Sequence, residues 1–397
     1  MCLQMRRAFR VASVDLTERE REIVALLRAD PLLDAAALAH RLGSTRAAVS
    51  VHLSNLTRKG VLLGRGYLVR PDARSVLVVG GAVLDAKVRT RAAPVLGTSN
   101  PGTSTSSVGG VGRNIAENLA RLGRPTRLVA AVGDDLPGRT VVARTAAAGV
   151  DCREVVTSAH PTGSYTAVLD DGGDLLVAVA DMRATDELSV PELAAVPGLL
   201  AAADALVVDG NLGADVVRWL LAAAGDAGVP VVLEPVSVAK ATRVGRVLGG
   251  PAVVHTLTPN VDELGALVGH CVGEDPAAIL EAAGTLHARG VEHVWVRRGR
   301  QGSLLSQRPE AGHPGRAVAV AAPETTVEDV TGAGDAMTAG YVHALLGGAD
   351  PVEAARYGQV LAALTCTCPD TVRPDLTAAL VATHLTPTEP SVEELTR

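Results

Sequence analysis

Asp329-Val330-Thr331-Gly332-Ala333-Gly334-Asp335 runs straight into the apolar stretch Ala336-Met337-Thr338-Ala339-Gly340-Tyr341-Val342, so two glycines and an acid stand at the head of a helical pattern. The first amides of a helix have no intrahelical acceptor and carry the positive end of its dipole, which suits a phosphate. Gly332 and Gly334 let the backbone take unusual angles and let an anion come close. Asp335 then stands beside that hole. Its carboxylate can take the proton of an attacking hydroxyl while the amides of Gly332, Ala333, Gly334 and Asp335 hold the transferring phosphoryl group. Taken alone, the stretch is explained as well by a tight turn with an acid complementing the helix dipole.

Upstream, Gly109-Gly110-Val111-Gly112-Arg113-Asn114-Ile115-Ala116 opens another Ala-rich helical pattern. Its glycines allow close approach to a ligand, and Asn114 offers a hydroxyl both a donor and an acceptor. Ser75-Val76-Leu77-Val78-Val79-Gly80-Gly81 is a continuous apolar run, as in a strand buried on both faces of a parallel sheet. Tyr165 to Leu175 reads as a hairpin with Asp171-Gly172-Gly173 at its turn. Strand and helix patterns then alternate through Ala205–Asp209 and Val229–Pro235. Ligands of open parallel sheets collect at the carboxyl ends of strands, and Asn211 follows one such end as a candidate substrate contact.

Asp-x-Thr-Gly-Ala-Gly-Asp at 329–335 and the Gly-Gly…Asn pattern at 109–114 together resemble the two signatures of the ribokinase-like (PfkB) family of sugar and nucleoside kinases. The resemblance spans about 75–385. It implies an α/β fold with an open, mostly parallel sheet flanked by helices and covered by a small β-lid. The kinase domain is expected over 74–385, with the lid from about 86–108 and 160–182. The resemblance also implies that Asp85 binds sugar hydroxyls together with Gly109, Gly110 and Asn114. Thr258-Pro259-Asn260-Val261-Asp262-Glu263 is similar to the family's Asn-x-x-Glu motif, so Asn260 and Glu263 are expected to order Mg2+ and its phosphate-bound waters, Glu263 acting through water. Gly299 and Gly302 match a loop beside the ATP. A monovalent cation such as K+ beside the 329–335 loop is permitted. Two departures stand out. Val83 replaces an Asn that many members carry two residues before the acid. Arg297 replaces the usual Thr, and Arg297 or Arg298 is a candidate to meet ATP phosphates.

Composition sets the remaining bounds. The chain has 397 residues, 47% of them hydrophobic but only 2% aromatic, so its core must be built from Ala, Leu and Val. No apolar run is long enough to span a membrane, the N-terminus lacks the apolar segment of a secretory signal, and the five cysteines lack metal-like spacing. A cytoplasmic protein is expected. The net charge of −6 conceals an asymmetry, because residues 1–73 carry +5 and the rest −11.

That basic piece begins with a capping box, Thr17-Glu18-Arg19-Glu20. Helical patterns follow over Ile23–Leu27, Ala35–Leu42 and Thr45–Arg58, then a small hairpin from Val61 to Val69. The order resembles a winged helix-turn-helix over 1–70. The third helix would enter a DNA major groove and the wing would touch phosphate, with Arg46, Ser50, Asn55 and Arg65 as DNA-binding candidates. A three-helix packing or dimerisation module is the alternative. Residues 387–397 read as a flexible tail.

Longer strings narrow the resemblance. Gly109 to Gly123, Asp181-Met182, Glu234-Pro235-Val236-Ser237-Val238-Ala239-Lys240-Ala241 and Thr371-Val372 with Pro374 are similar to the pseudouridine kinase branch, some of whose bacterial relatives carry an N-terminal winged helix-turn-helix. The implied reaction is ATP-dependent phosphorylation of the 5′-hydroxyl of pseudouridine, by a homodimer joined through its lids. Two other readings stay open: a kinase for another sugar or nucleoside, and a DNA-binding regulator that senses its ligand with a kinase-like body.

Overall fold

The computed structural model of the chain describes residues 16–30, 33–59, 61–62, 75–309, 315–386 and 390–395. The chain separates into a small N-terminal unit and a large unit that takes up at Ser75.

In the small unit, helices span Glu18–Ala29, Ala35–Arg41 and Arg46–Arg58. Each is started by its own cap: the Thr17/Glu20 capping box, the Asp34 carboxylate and the Thr45 hydroxyl. Ile23, Leu27, Leu38, Val49, Leu53 and Leu56 close one core between them. Glu20 is buried, and Lys59 Nζ meets its Oε2 at 2.7 Å. From Leu63 onward the expected wing, and Arg65 with it, lies outside the described residues.

The strands of the large unit are, in chain order, β1 (Val76–Val79), β2 (Val83–Thr90), β3 (Gly102–Gly109), β4 (Thr126–Val129), β5 (Ala131–Gly133), β6 (Val156–Ser158), β7 (Gly163–Leu169) and β8 (Leu175–Asp181). They continue with β9 (Ala205–Asp209), β10 (Val231–Glu234), β11 (Val254–Leu257), β12 (Val291–Arg297), β13 (Ser303–Gln307), β14 (Ala317–Val320) and β15 (Val392–Glu394). The main sheet has the order β15-β14-β13-β12-β11-β10-β9-β1-β4. From β4 to β12 every neighbour is parallel, and β13 to β15 are added antiparallel. The chain reverses direction across the sheet at β1, between β4 and β9, which opens a crevice at the strands' carboxyl ends.

Burial on both faces explains the Val/Leu strands: Val76–Val79, Ala205–Val208 and Val231–Leu233 are all at most 2% exposed. With so few aromatics, close helix packing supplies the density. The helices Ala333–Gly347 and Pro351–Cys366 meet where Gly340 faces Gly358, and a Cβ at Gly340 would lie 3.0 Å from the Gly358 Cα. Trp295 and Tyr341 stack beside them with centroids 4.8 Å apart.

A second sheet, β3-β2-β7-β8, holds the strands expected to form the lid. Val83, the departure at its base, is 3% exposed and packs on Gly163. The flexible tail expected at 387–397 is corrected for Val392–Glu394, which pair antiparallel with β14. An edge strand offers unpaired backbone groups to any extended segment that reaches it, and Arg316–Glu394 adds an ion pair at 2.6 Å.

Candidate active site

Gly332 caps the helix Ala333–Gly347 in the left-handed region, with φ of 81°. A Cβ there would collide with the Thr371 carbonyl oxygen, so both backbone angle and space demand glycine. The Ala333 amide is taken into the turn by the Val330 oxygen at 3.2 Å. The Gly334 and Asp335 amides lie in the first helical turn, where no intrahelical acceptor exists. Of the four amides expected to form an anion hole, that of Ala333 is thus taken up within the turn.

Asp335 opens on the same space. Its Oδ2 accepts a hydrogen bond from Asn114 Nδ2 at 2.8 Å. Burial pushes its carboxyl up to about 7, helped by Glu234 and Asp209 and opposed by the Asn114 hydrogen bond and Arg297. Asn114 was expected to meet a substrate hydroxyl. Both ends of its amide have protein partners, because Arg113 Nη1 donates to its Oδ1 at 2.9 Å. Asn114 therefore orients Asp335 in this structure. Arg113 itself is buried and paired with Glu117, which also holds Arg121.

A second cluster borders the hole. Arg297 ends β12, Glu234 ends β10, and Glu263 lies in the first turn of the helix Val261–Val268. Arg297 Nη2 reaches Glu234 Oε1 at 2.6 Å and Glu263 Oε2 at 3.3 Å. Thr258 and Thr338 donate to the other Glu234 oxygen at 2.7 and 3.1 Å. Burial alone lowers the Arg297 pKa, but Glu234 and Glu263 reverse the sign and raise it, so the guanidinium is fixed as a cation. A Cβ at Gly334 would stand 2.6 Å from Arg297 Nη1. Arg298 turns away, toward Glu274 and Gln301.

Glu263 was expected to order magnesium through water. Its Oε2 is shared between the Asn260 amide, in a capping box, and Arg297. Among the described residues no three His, Cys, Asp or Glu side chains converge as a cation site. A guanidinium fills the gap between the two acids, so the pair offers magnesium no direct site, and the role expected of Glu263 is one through water. Gly299 and Gly302 form the turn between β12 and β13 with positive φ, and Gly302 lies tight against the Val320 oxygen.

The substrate candidates gather around the crevice. Asp85, on β2, lies against Gly109 on β3, where a Cβ would strike its carboxylate. Burial raises the Asp85 pKa. Gly110 caps the helix Val111–Arg121 with φ of 97°. Asp209, fully buried, accepts from the amides of Gly81, Gly112 and Asn211 at 2.8, 2.7 and 2.9 Å, tying the ends of β1 and β9 to the start of that helix. Asn211 Oδ1 accepts from Lys240, whose pKa burial lowers. Val236, between Glu234 and Lys240, has φ of 76°, a strained angle for a branched residue. Sequence reasoning missed Asp209, Lys240 and the pairing of Glu234 with Arg297. The conspicuous signal was Arg297 itself, a charge where the pattern calls for Thr.

In the small unit, Arg46 and Ser50 are exposed on the helix Arg46–Arg58, and the Ser50 hydroxyl bonds back to the Arg46 oxygen. At about 100° per residue, Asn55 lies on the opposite flank from Arg46, and Arg58 holds its side chain at 2.8 Å. Ala47, Val51, Ser54 and Arg58 form the centre of the solvent face.

Residues 73–378 match the model of the pfkB family carbohydrate kinase, and residues 16–62 match that of a winged helix-turn-helix DNA-binding domain. An uncharacterized sugar kinase, YeiI, of Escherichia coli K12 is 32% identical over 88% of this chain and 94% of its own length. The pseudouridine kinase of the same organism is 33% identical over 77% of this chain and 95% of its own. Among solved structures, a carbohydrate kinase from Agrobacterium tumefaciens superposes with a TM-score of 0.68 at 31% identity, covering 81% of this chain and all of that one. The Arabidopsis thaliana ribokinase solved with ribose and ATP gives a TM-score of 0.67 at 24% identity, covering 78% and 98%. No helix among the described residues is long and apolar enough to cross a membrane. The chain belongs to the pfkB family of carbohydrate kinases, as a ribokinase-like sugar or nucleoside phosphotransferase preceded by a winged helix-turn-helix domain.

Proposed function

We propose that the protein transfers the γ-phosphoryl group of ATP to the 5′-hydroxyl of pseudouridine. The observation that carries the chemistry is the 2.8 Å hydrogen bond from Asn114 to Asp335, which joins the two signatures at one carboxylate. The acceptor is inferred from the 33% identity to pseudouridine kinase and from the strings 109–123 and 234–241.

Asp335 takes the proton as the O–H bond breaks and a bond forms from the acceptor oxygen to the γ-phosphorus. The bond from that phosphorus to its bridging oxygen breaks, and ADP leaves with the electron pair. The Gly334 and Asp335 amides stabilise the charge on the equatorial oxygens. A carboxylate pushed up to about 7 is half ionised near neutrality, which suits a general base. Asp85 and Asn211 hold the ribosyl hydroxyls and base. Magnesium comes with the nucleotide, held by phosphates and water. A K+ ion beside the 329–335 loop belongs to this proposal as an expectation from the family resemblance.

The lid strand β8 presents Leu175, Val177 and Val179, 57%, 52% and 63% exposed. This apolar row supports a homodimer through the lids. The small unit, with Arg46, Ser50 and Arg58 on its third helix, is proposed to bind DNA and so to couple the enzyme to gene control.

The test is ATP-dependent phosphorylation of pseudouridine, uridine, adenosine, ribose and fructose 6-phosphate. Preference for pseudouridine is expected. Turnover with another sugar alone overturns the acceptor and keeps the chemistry; the buried Val83, where the family pattern has Asn, favours that second reading. Turnover with none overturns the acceptor and moves weight to a ligand-sensing regulator, with DNA binding as the next assay.

A further inference from the structure

Arg297 has two faces. Nη2 is gripped by Glu234 and Glu263 at 2.6 and 3.3 Å. Nη1 lies over Gly334, beside the two first-turn amides, and makes no hydrogen bond among the described residues. The side chain is 14% exposed, so it is anchored yet still borders open space. An arginine serving only to neutralise two acids would not need to lie so close to Gly334 that a side chain there would have to push its guanidinium aside. Without the guanidinium, a triphosphate entering the hole would meet two bare carboxylates. With it, one fixed cation stands between those acids and the incoming charge.

We propose that Arg297 is a phosphate-binding residue of this kinase, its Nη1 donating to a γ-phosphoryl oxygen while Nη2 stays on Glu234 and Glu263. The inference rests on the phosphoryl-transfer reading above. It assigns a role to one of the two positions at which this chain departs from its family's pattern. A planar guanidinium reaches both sides at once; an ammonium is a point charge and does not. The contact strengthens as charge spreads onto the equatorial oxygens in transfer, so it acts on turnover as well as binding.

The test is calorimetric binding of ADP and of the non-hydrolysable β,γ-imido analogue of ATP, both with Mg2+, to the full-length chain. R297Q/E234Q removes one positive and one negative charge, so the local net charge stays as in the wild type. R297K keeps the charge and the partner of both acids, and so guards against a variant that fails to fold. A γ-phosphate contact predicts that the preference for the analogue over ADP falls about 10-fold in R297Q/E234Q and about 3-fold in R297K, with kcat down about 10²-fold in the double variant. A structural ion pair would move the melting temperature and both affinities together, leaving their ratio unchanged. An unchanged ratio in either folded variant overturns the proposal and leaves the kinase reading intact. A wild-type chain that binds neither nucleotide overturns the kinase reading, and the proposal with it.

Discussion

Asp329 precedes the helix Ala333–Gly347 and Asp335 lies in its first turn, yet the surroundings of these two near neighbours in sequence drive them apart. Asp329 is at the loop's rim, accepting from the Thr331 amide and hydroxyl at 2.8 and 2.6 Å and from Lys87 at 2.9 Å. Burial works to raise its pKa, but these donors outweigh it and hold the carboxyl down to about 2. Asp335 has one donor from Asn114, burial around it, and acids beyond. It is pushed up to about 7. The difference shows what a signature of two acids contains. One is an anion that shapes the loop; the other is held close to its titration point, as the general base proposed above requires.

The strongest way to break that contrast is to neutralise each acid in turn. D335N keeps the size and an acceptor for Asn114 but abolishes the base. Its kcat is expected to fall by about 10²-fold or more, the range for loss of general-base help. D329N keeps an acceptor for Thr331 and is expected to lose less than about 10-fold. Steady-state kinetics on both variants decide the matter. Equal losses would mean that the two carboxylates share one role.

The pH profile sharpens the same point. If Asp335 must be ionised, kcat/KM of the wild type falls about tenfold per unit on the acid side, with its break near 7. A break near 4 would show that the carboxyl is not raised in the working enzyme. Stability carries the opposite sign. Because the folded-state pKa lies above the ordinary aspartate value of 3.8, the folded state binds the proton more tightly, and stability is lost as pH rises from about 4 to about 7. D335N escapes that loss. Its melting temperature is expected to exceed the wild type's by a margin that widens between pH 5 and pH 8. A margin that is constant with pH would count against a raised Asp335.

The parts of this site that were legible in sequence are those fixed by local backbone. Gly332 and Gly334 declare themselves because a helix start against another chain segment tolerates little else, and Asp335 follows by position. Alternating apolar runs disclosed the parallel sheet for the same reason. Asn114 was visible through the Gly-Gly…Asn pattern at 109–114, but its partner lies 221 positions away, and no local pattern links the two. Glu234, Glu263 and Arg297 meet only because β10, β11 and β12 lie side by side with their ends aligned. Arg297 was therefore noticed as a misfit before its surroundings gave it a role. The strand Val392–Glu394 was illegible because three residues carry no periodicity; the open edge of β14 gives them their conformation.

The smallest expected effect concerns the clamp between lid and loop. Lys87 is on the lid strand β2, and its ion pair with Asp329 is partly exposed, the two side chains being 48% and 26% accessible. Such pairs contribute on the order of 0–1 kcal/mol, so K87A is expected to leave the melting temperature nearly unchanged. It frees the lid from the 329–335 loop without touching Thr331, which still shapes the turn through Asp329. A lid that closes less often over the transfer site should lower kcat/KM about 3-fold through KM, with kcat little altered. At 1 M salt the screening length is about 3 Å, so the wild type should approach the K87A value while K87A itself hardly moves. A loss of about 100-fold in kcat would place Lys87 in the chemistry, and Asp329 could then no longer be a mere anchor set against a working Asp335.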